Sequence, residues 1–250
     1  SARPPGEIGV SPAHARPPTL SRQAATADME GFPESLHFSL ILIMPVTSPA
    51  AVGLVLCNQA VYSLFFMRGS FSAFDVSQSA IALAWYAPGL LFVGLSRVAV
   101  ACFYAMKDTR TPVIISFWTL LVNVVSGLLL MQLMGHAGLA LALTIASVFN
   151  ALILVVLLAK RLGKLDVAGI FNTTLRTIPG LCSMAIVVSL ILGQADWLTT
   201  GPFMMRLVVL CAAVLSGSLV YVIGLWVFGV REIKQVWSMI TGRLLLPRKG

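Results

Sequence analysis

Six long apolar runs constrain the fold of this chain more than any other feature of its sequence. They cover residues 38–57, 81–106, 113–134, 139–158, 178–192 and 203–228. A helix rises about 1.5 Å per residue, so roughly 20 apolar residues cross the ~30 Å of hydrocarbon in a bilayer. Five runs reach that length, and the run 178–192 spans only if Arg176 and Gln194 lie at the two membrane surfaces. The runs predict an all-α integral membrane protein, a bundle of six transmembrane helices.

The composition argues against a soluble protein. Of the 250 residues, 58% are hydrophobic and 10% are charged, and the mean hydropathy is +0.93. Soluble domains carry about 25% charged residues. The net charge of +8 comes from lysines and arginines spread thinly between apolar runs. Because nucleic-acid binding requires basic residues gathered on one face, no nucleic-acid partner is predicted.

Patterns that carry catalysis or metal binding are missing from the sequence. It contains no nucleophile elbow, zinc-protease helix or phosphate-binding loop, and none of its nine acidic residues lies deep in an apolar run. The four cysteines lack the spacing of a zinc site or a disulfide framework. We therefore predict no enzyme activity, no catalytic residue, no cofactor and no metal site.

Lysine and arginine are concentrated on one side of the predicted membrane. All but three of the 17 basic residues fall in the terminal segments or in the loops after the second and fourth runs, the exceptions being Arg68, Arg97 and Arg206. Because basic loops remain in the cytoplasm, this side is predicted to be cytoplasmic and to hold both termini. That arrangement needs an even number of spans, which supports counting the run 178–192 as a span.

The chain divides into segments of different composition. The proline-rich residues 1–18 predict a disordered or unrelated arm, because they cannot bury enough apolar surface to order themselves. The remaining segments are a cytoplasmic lead-in (19–37), the first four helices (38–158), a basic cytoplasmic loop with an in-plane piece at 167–177 (159–177), two further helices (178–228) and a basic amphipathic tail on the cytoplasmic leaflet (229–250). A solvated tail is the alternative for 229–250. Since the chain begins with serine, we expect a fragment of a longer protein.

Local residues mark helix ends and bends. Thr111 followed by Pro112 predicts a cap and a first helical position for the third helix. The glycines at 135 and 138 predict a tight turn between two antiparallel spans. Prolines inside the apolar runs remove backbone donors and predict kinks, at Pro45, Pro49 and Pro88.

Two polar residues inside the runs are candidates for substrate binding. Arg97 lies about 15 Å along a helix from Lys107, near the membrane midplane, where a guanidinium costs about 2.5–3.5 kcal/mol. It either contacts a phosphate in a wet groove or serves structurally, by bonding carbonyls freed by Pro88 or reaching an interface. Asn123 either lines a groove or joins helices. Methionines and the three histidines are interpreted as packing, solvated or capping residues.

Several short motifs resemble one family of membrane proteins. FYAMKDTRTP at residues 103–112 resembles the FYAxxDTRTP signature of the MurJ/MviN family of lipid II flippases. PTLSR at 18–22, PAAVGL at 49–54, RGSF at 68–71 and GHAGLALA at 135–142 resemble further motifs of that family in the same order and spacing. The two strongest motifs contain Asp108, Thr109, Arg110, Thr111, Pro112, Gly135, His136 and Gly138.

The resemblance implies an architecture and a function. Members of the family have fourteen helices in two lobes around a central cavity, and this chain resembles the last six helices, so a missing amino-terminal lobe is an expected partner. The full-length relative is expected to move lipid II, a lipid-linked disaccharide-pentapeptide, across the bacterial cytoplasmic membrane by alternating access, in contact with membrane lipids. Arg97 falls where the family commonly carries arginine or lysine.

Two other functions stay open on the sequence. The six helices could form a non-transporting membrane scaffold or a truncated, degenerate protein. They could also belong to an exporter of another polyprenyl-linked oligosaccharide. The DTRTP and GHAGLALA motifs favour the lipid II flippase over the latter.

Overall fold

A computed structural model describes residues 32–67, 71–163, 167–198 and 201–227. Within these ranges the chain forms six helices and no strand: α1 (Phe32–Phe66), α2 (Ala73–Ala105), α3 (Arg110–Met134), α4 (His136–Leu162), α5 (Val167–Leu192) and α6 (Phe203–Val227). Each contains a stretch long and apolar enough to cross a membrane. The predicted six-helix transmembrane bundle is therefore confirmed. The predicted arm 1–18 and tail 229–250 lie outside the described residues.

Five of the six described helices are longer than the apolar runs that predicted them. Helix α1 continues past residue 57 to Phe66, and α5 begins at Val167, eleven residues before the run that marked it. The predicted loop 159–177 is wrong in its bounds, because it is helical to Leu162 and again from Val167, continuous with the span. Helical backbone bonds continue through polar residues such as Thr177, whose hydroxyl donates to the carbonyl of Thr174 at 2.7 Å. Hydropathy does not detect that continuation.

Helix α1 lies between two packing units. On one side α2 packs against α1 and α4, and α3 packs mainly against α4; on the other side α5 and α6 pair and pack against α1. Each unit has its own buried cluster, one containing Leu40, Phe103 and Leu154 and the other Cys57, Val188 and Tyr221. We call the end of the bundle that carries Lys107 and Arg161 the basic end, and the end that carries Gly135 and Trp197 the opposite end.

Prolines in the spans leave carbonyls that other helices satisfy. Pro49 has no N–H, so the carbonyl of Pro45 lacks its helical partner. The hydroxyl of Tyr221 on α6 donates to that carbonyl at 2.7 Å. Pro88 leaves the carbonyl of Ala84 without its helical donor, and the hydroxyl of Thr144 on α4 donates to the next carbonyl, that of Trp85, at 2.6 Å. These bonds tie α6 to α1 and α4 to α2 inside the low-dielectric part of the bundle, where an unmet carbonyl is costly.

Candidate functional site

Asp108, in the loop between α2 and α3, organises the start of α3. One of its carboxylate oxygens accepts hydrogen bonds from the backbone N–H groups of Arg110 (3.1 Å) and Thr111 (3.0 Å), and the other accepts from the Thr111 hydroxyl at 2.6 Å. The helix begins at Arg110, so the predicted cap at Thr111 with Pro112 in first position is wrong. A carboxylate accepts several bonds at once and favours the positive end of the helix dipole, which explains why Asp108 takes this role.

Arg161 connects the same loop to the end of α4. Its Nη1 lies 2.5 Å from the Asp108 carboxylate, and its Nη2 donates to the Thr111 hydroxyl at 3.2 Å. Its guanidinium also lies 5.4 Å from the centre of the Phe103 ring, in the geometry of a cation–π contact. We call Asp108, Thr111 and Arg161 the loop brace. It holds the basic ends of α2, α3 and α4 together, and it gives a structural role to Asp108 and Thr111 of the DTRTP motif.

The loop brace predicts a defined pH dependence. The Thr111 hydroxyl and N–H, and then Arg161, hold the pKa of Asp108 at about 2, below its ordinary value of 3.8. A lowered folded-state pKa stabilises the fold above about pH 3.8, and that contribution is lost as the pH falls through about 2. The Asp108→Asn variant should therefore have a lower melting temperature than the parent protein in detergent at pH 7. We expect this difference in melting temperature to stay constant down to pH 5 and to become smaller below pH 4. A difference in melting temperature that grows as the pH is lowered would contradict this assignment.

The predicted tight turn between α3 and α4 is confirmed. Gly135 is its only residue outside the helices, and its φ of +59° lies in the region that favours glycine. His136 places its Nε2 3.1 Å from the backbone carbonyl of Gln78 near the start of α2. A Cβ on Gly138 would overlap the carbonyl oxygen of Leu130, so α3 and α4 meet there backbone to backbone. These motif residues therefore set the geometry of the hairpin.

The two polar residues singled out from the apolar runs lie apart from each other. Arg97 is exposed on α2, and within the described part of the chain it makes no hydrogen bond or ion pair. Among the described residues it donates to none of the carbonyls near Pro88, so the structural role that the sequence suggested for it at that proline is not seen. Asn123 is half-buried on α3, a helix that barely contacts α2. Farther along the helices from the loop brace, Thr119 on α3 donates to Asn150 on α4 at 3.3 Å.

An apolar groove between α1, α5 and α6 was not predicted from the sequence. Its volume is about 460 Å³, and its walls include Pro49, Gly53, Cys57, Met184, Val188 and Val214. The small residues of the PAAVGL motif leave this space on α1, which is the signal that sequence reasoning missed. Val46 and Val214, on the rims, are 60% and 48% exposed, so the groove opens sideways toward the membrane. A space of this chemistry accommodates hydrocarbon chains.

The described residues offer little for metal or covalent chemistry. Across ranges 32–67, 71–163, 167–198 and 201–227, no three histidine, cysteine, aspartate or glutamate side chains gather in a way that could hold a metal ion. The four cysteines are free thiols; Cys57 and Cys102 are buried, while Cys182 and Cys211 are exposed on the apolar surface. What the arrangement offers is an apolar groove, a braced basic end and an unpaired arginine within a span.

Comparison with known proteins gives consistent results. The family model for the lipid II flippase MurJ matches residues 3–214. A probable lipid II flippase MurJ of Bdellovibrio bacteriovorus is 31% identical over 221 residues, which are 87% of this chain and 42% of that protein. The lipid II flippase MurJ of Burkholderia cenocepacia is 33% identical over 144 residues, 58% of this chain and 28% of that protein. The chain thus spans less than half the length of these relatives.

A solved structure of a similar protein supports the fold. It is a lipid II flippase MurJ in an inward closed conformation, with a TM-score of 0.65 and 23% sequence identity. The likeness covers 86% of this chain and 42% of that chain. The arrangement of the six helices is therefore one that a solved membrane protein adopts.

Proposed function

Because this chain belongs to the MurJ family of lipid II flippases, we propose that it supplies six transmembrane helices of a flippase for lipid-linked disaccharide-pentapeptide. The flippase moves this precursor of peptidoglycan across the bacterial cytoplasmic membrane by alternating access. No bond of the substrate is made or broken, so the work is transport and not catalysis. The two lobes rock about the bound headgroup, as in other transporters that gate around a central site.

The observation that carries this proposal is the apolar groove between α1, α5 and α6. A lipid-linked sugar has a polar headgroup and a long hydrocarbon tail, and the two need different surroundings. The groove is apolar on all three walls and opens toward the membrane along Val46 and Val214. We assign it to the tail, which stays in hydrocarbon while the headgroup crosses in a wet cavity.

The basic end of the bundle is assigned to the cytoplasm. Lys107, Arg110, Lys160 and Arg161 all lie at that end, and short basic loops are retained on the cytoplasmic side. A cysteine placed at Gln194 should react with a membrane-impermeant maleimide added outside intact cells, in a background without Cys182 and Cys211. A cysteine at Lys107 should react only after the cells are opened. Reaction of the Lys107→Cys protein in intact cells would reverse the orientation.

Arg97 and Asn123 are the proposed contacts to the headgroup. Arg97 is exposed, lies about 12 Å from the end of α2 and is unpaired within the described helices. Left in hydrocarbon, its charge would cost about 2.5–3.5 kcal/mol, so we expect it to face water or an anion in the complete flippase. The planar guanidinium can hold two oxygens of a pyrophosphate at once.

Substitution of Arg97 tests that role. In a flippase carrying this segment, Arg97→Ala should lower the transport rate about tenfold or more, because the positive charge that would pair with the pyrophosphate is lost. Arg97→Lys keeps the positive charge but loses the planar guanidinium that can hold two oxygens at once, so it should retain part of the transport rate. Lys160→Ala, which removes an exposed charge at the end of α4, is the matched control and should transport normally. If Arg97→Ala inserts normally and transports at the parent rate, the arginine is structural.

The function itself is tested with a chimera. The matching segment of the Bdellovibrio bacteriovorus relative is replaced by this chain, and the chimera is expressed in bacteria depleted of their own lipid II flippase. We expect restored growth, together with exposure of the lipid-linked precursor to an impermeant labelling reagent outside the membrane. A chimera that inserts at normal levels but leaves the precursor inside would contradict the proposal.

A further inference from the structure

Tyr104, in the FYAMKDTRTP motif, faces out of the bundle near the basic end of α2. Its side chain is 52% exposed, and its hydroxyl makes no hydrogen bond to any residue that the structure describes. Phe103, the preceding residue, is fully buried beneath the guanidinium of Arg161, and Asp108 belongs to the loop brace. Packing therefore explains the neighbouring motif residues but does not explain the exposed ring of Tyr104.

Tyr104 lies on the same face of α2 as Arg97. Seven residues separate them, which is two helical turns and about 10 Å along the axis. The intervening exposed position, Ala101, carries only a methyl group. The opposite face, with Ala99 and Cys102, is buried in the cluster shared with α1 and α4. The unpacked face of α2 thus presents a guanidinium and a phenol ring on one line, two turns apart.

The end of α2 holds Tyr104 in a fixed position. The N–H of Lys107 donates to the carbonyl of Tyr104 at 2.9 Å, and the N–H of Asp108 donates to the carbonyl of Phe103 at 2.9 Å. Asp108 is in turn fixed by the loop brace. A side chain on a braced helix end keeps a more precise position than one on a free loop, which suits a contact to a ligand.

We propose that the ring of Tyr104 is a stacking surface for the disaccharide of the substrate. The inference rests on the proposed function, in which Arg97 holds the pyrophosphate and the basic end faces the cytoplasm. The first sugar is joined directly to the pyrophosphate, so a headgroup that enters from the cytoplasm places its sugar rings over the two turns between Arg97 and Tyr104. The C–H groups on one face of a sugar carry partial positive charge and pack on the negative face of an aromatic ring.

A ring near the membrane surface can also anchor a helix in the bilayer, and two features favour the sugar over that role. Anchoring rings face lipid, whereas Tyr104 shares its face with Arg97, whose charge is costly in hydrocarbon. A ring contact to an uncharged sugar also complements a charge contact to the pyrophosphate. One face of α2 would then recognise both parts of the headgroup.

The test compares two lipids that differ by the disaccharide. The complete flippase that carries this segment, the chimera with the Bdellovibrio bacteriovorus relative, is placed in phosphatidylcholine nanodiscs. Its dissociation constants are measured for polyprenyl pyrophosphate and for the same lipid bearing the disaccharide. Tyr104→Ala should weaken binding of the disaccharide lipid about fivefold or more and leave binding of polyprenyl pyrophosphate unchanged, because one ring contact is lost. Arg97→Ala should weaken binding of both lipids.

Two further variants control for the loss of an exposed ring. Tyr104→Phe keeps the ring without its hydroxyl and should bind both lipids as the parent does. Trp85 is another exposed aromatic residue of α2, at 40%, but it lies nineteen residues away and about 100° round the helix from Tyr104. Trp85→Ala should therefore change the binding of neither lipid.

The outcomes separate this inference from the function on which it rests. Equal weakening of both lipids by Tyr104→Ala would show a structural or anchoring role and overturn the inference, as would unchanged binding of the disaccharide lipid. A parent flippase that binds the two lipids equally well would also overturn the sugar contact while leaving the proposed function in place. Failure of the parent to bind either lipid would contradict the proposed function and this inference with it.

Discussion

Replacing Gly138 with alanine is expected to remove most of the folded protein. The new Cβ would overlap both the oxygen and the carbon of the Leu130 carbonyl, and neither backbone atom can rotate away. Helices α3 and α4 would have to separate at the turn that joins them. Forcing extra volume into a packed contact costs about 1–3 kcal/mol and sometimes more, and a backbone clash belongs at the upper end. The yield of monodisperse protein in detergent measures the loss.

Gly127→Ala is the matched control for that substitution. Gly127 lies in the same hairpin and is also buried, but its added Cβ would be 3.5 Å from the side chain of Leu139, an ordinary contact. We expect its yield and melting temperature to stay close to those of the parent. If Gly138→Ala gives as much folded protein as Gly127→Ala, the close approach of α3 and α4 is not what requires glycine at 138.

Replacing Arg206 with leucine is expected to be the second most damaging change. The substitution puts an apolar side chain at a buried position and removes the guanidinium donors, so the buried oxygen of Ser63 loses the hydrogen bond that it accepts and the carbonyl of Asp196 is released. Leaving a buried polar group unmet costs about 1–3 kcal/mol. The loop holding Trp197 should loosen, which would appear as a lower melting temperature in detergent and faster proteolysis after Leu192.

Arg176→Leu provides the comparison for Arg206. Arg176 is exposed on α5, and its removal takes the same charge from the neighbouring helix. We expect a small change in melting temperature and no new cleavage in the α5–α6 loop. Equal destabilisation by the two substitutions would show that net charge, and not the contacts of Arg206, stabilises this end of the bundle.

The helices could be predicted because the signal for each one lies within its own residues. Mean hydropathy over about 20 positions identifies a span whatever it packs against, and the glycines at 135 and 138 announce a turn through their own backbone preferences. Helix ends were predicted less well. The start of α3 depends on where the Asp108 carboxylate points, and α5 continues through polar residues to Val167, features that hydropathy does not register.

The sequence by itself determined that this is a six-helix membrane protein with the motifs of one family and a tight turn between two of its spans. Only the tertiary structure decided where its apolar groove lies and which groups on α1 the side chains of Arg206 and Tyr221 contact. Ser63 and Arg206 are 143 positions apart, and Pro45 and Tyr221 are 176 apart, so no local pattern links them. Arginine at 206 reads in sequence as one more interfacial charge. It becomes a buried side chain that joins α6 to α1 because the two helices pack antiparallel, and that packing depends on the side chains of three helices together.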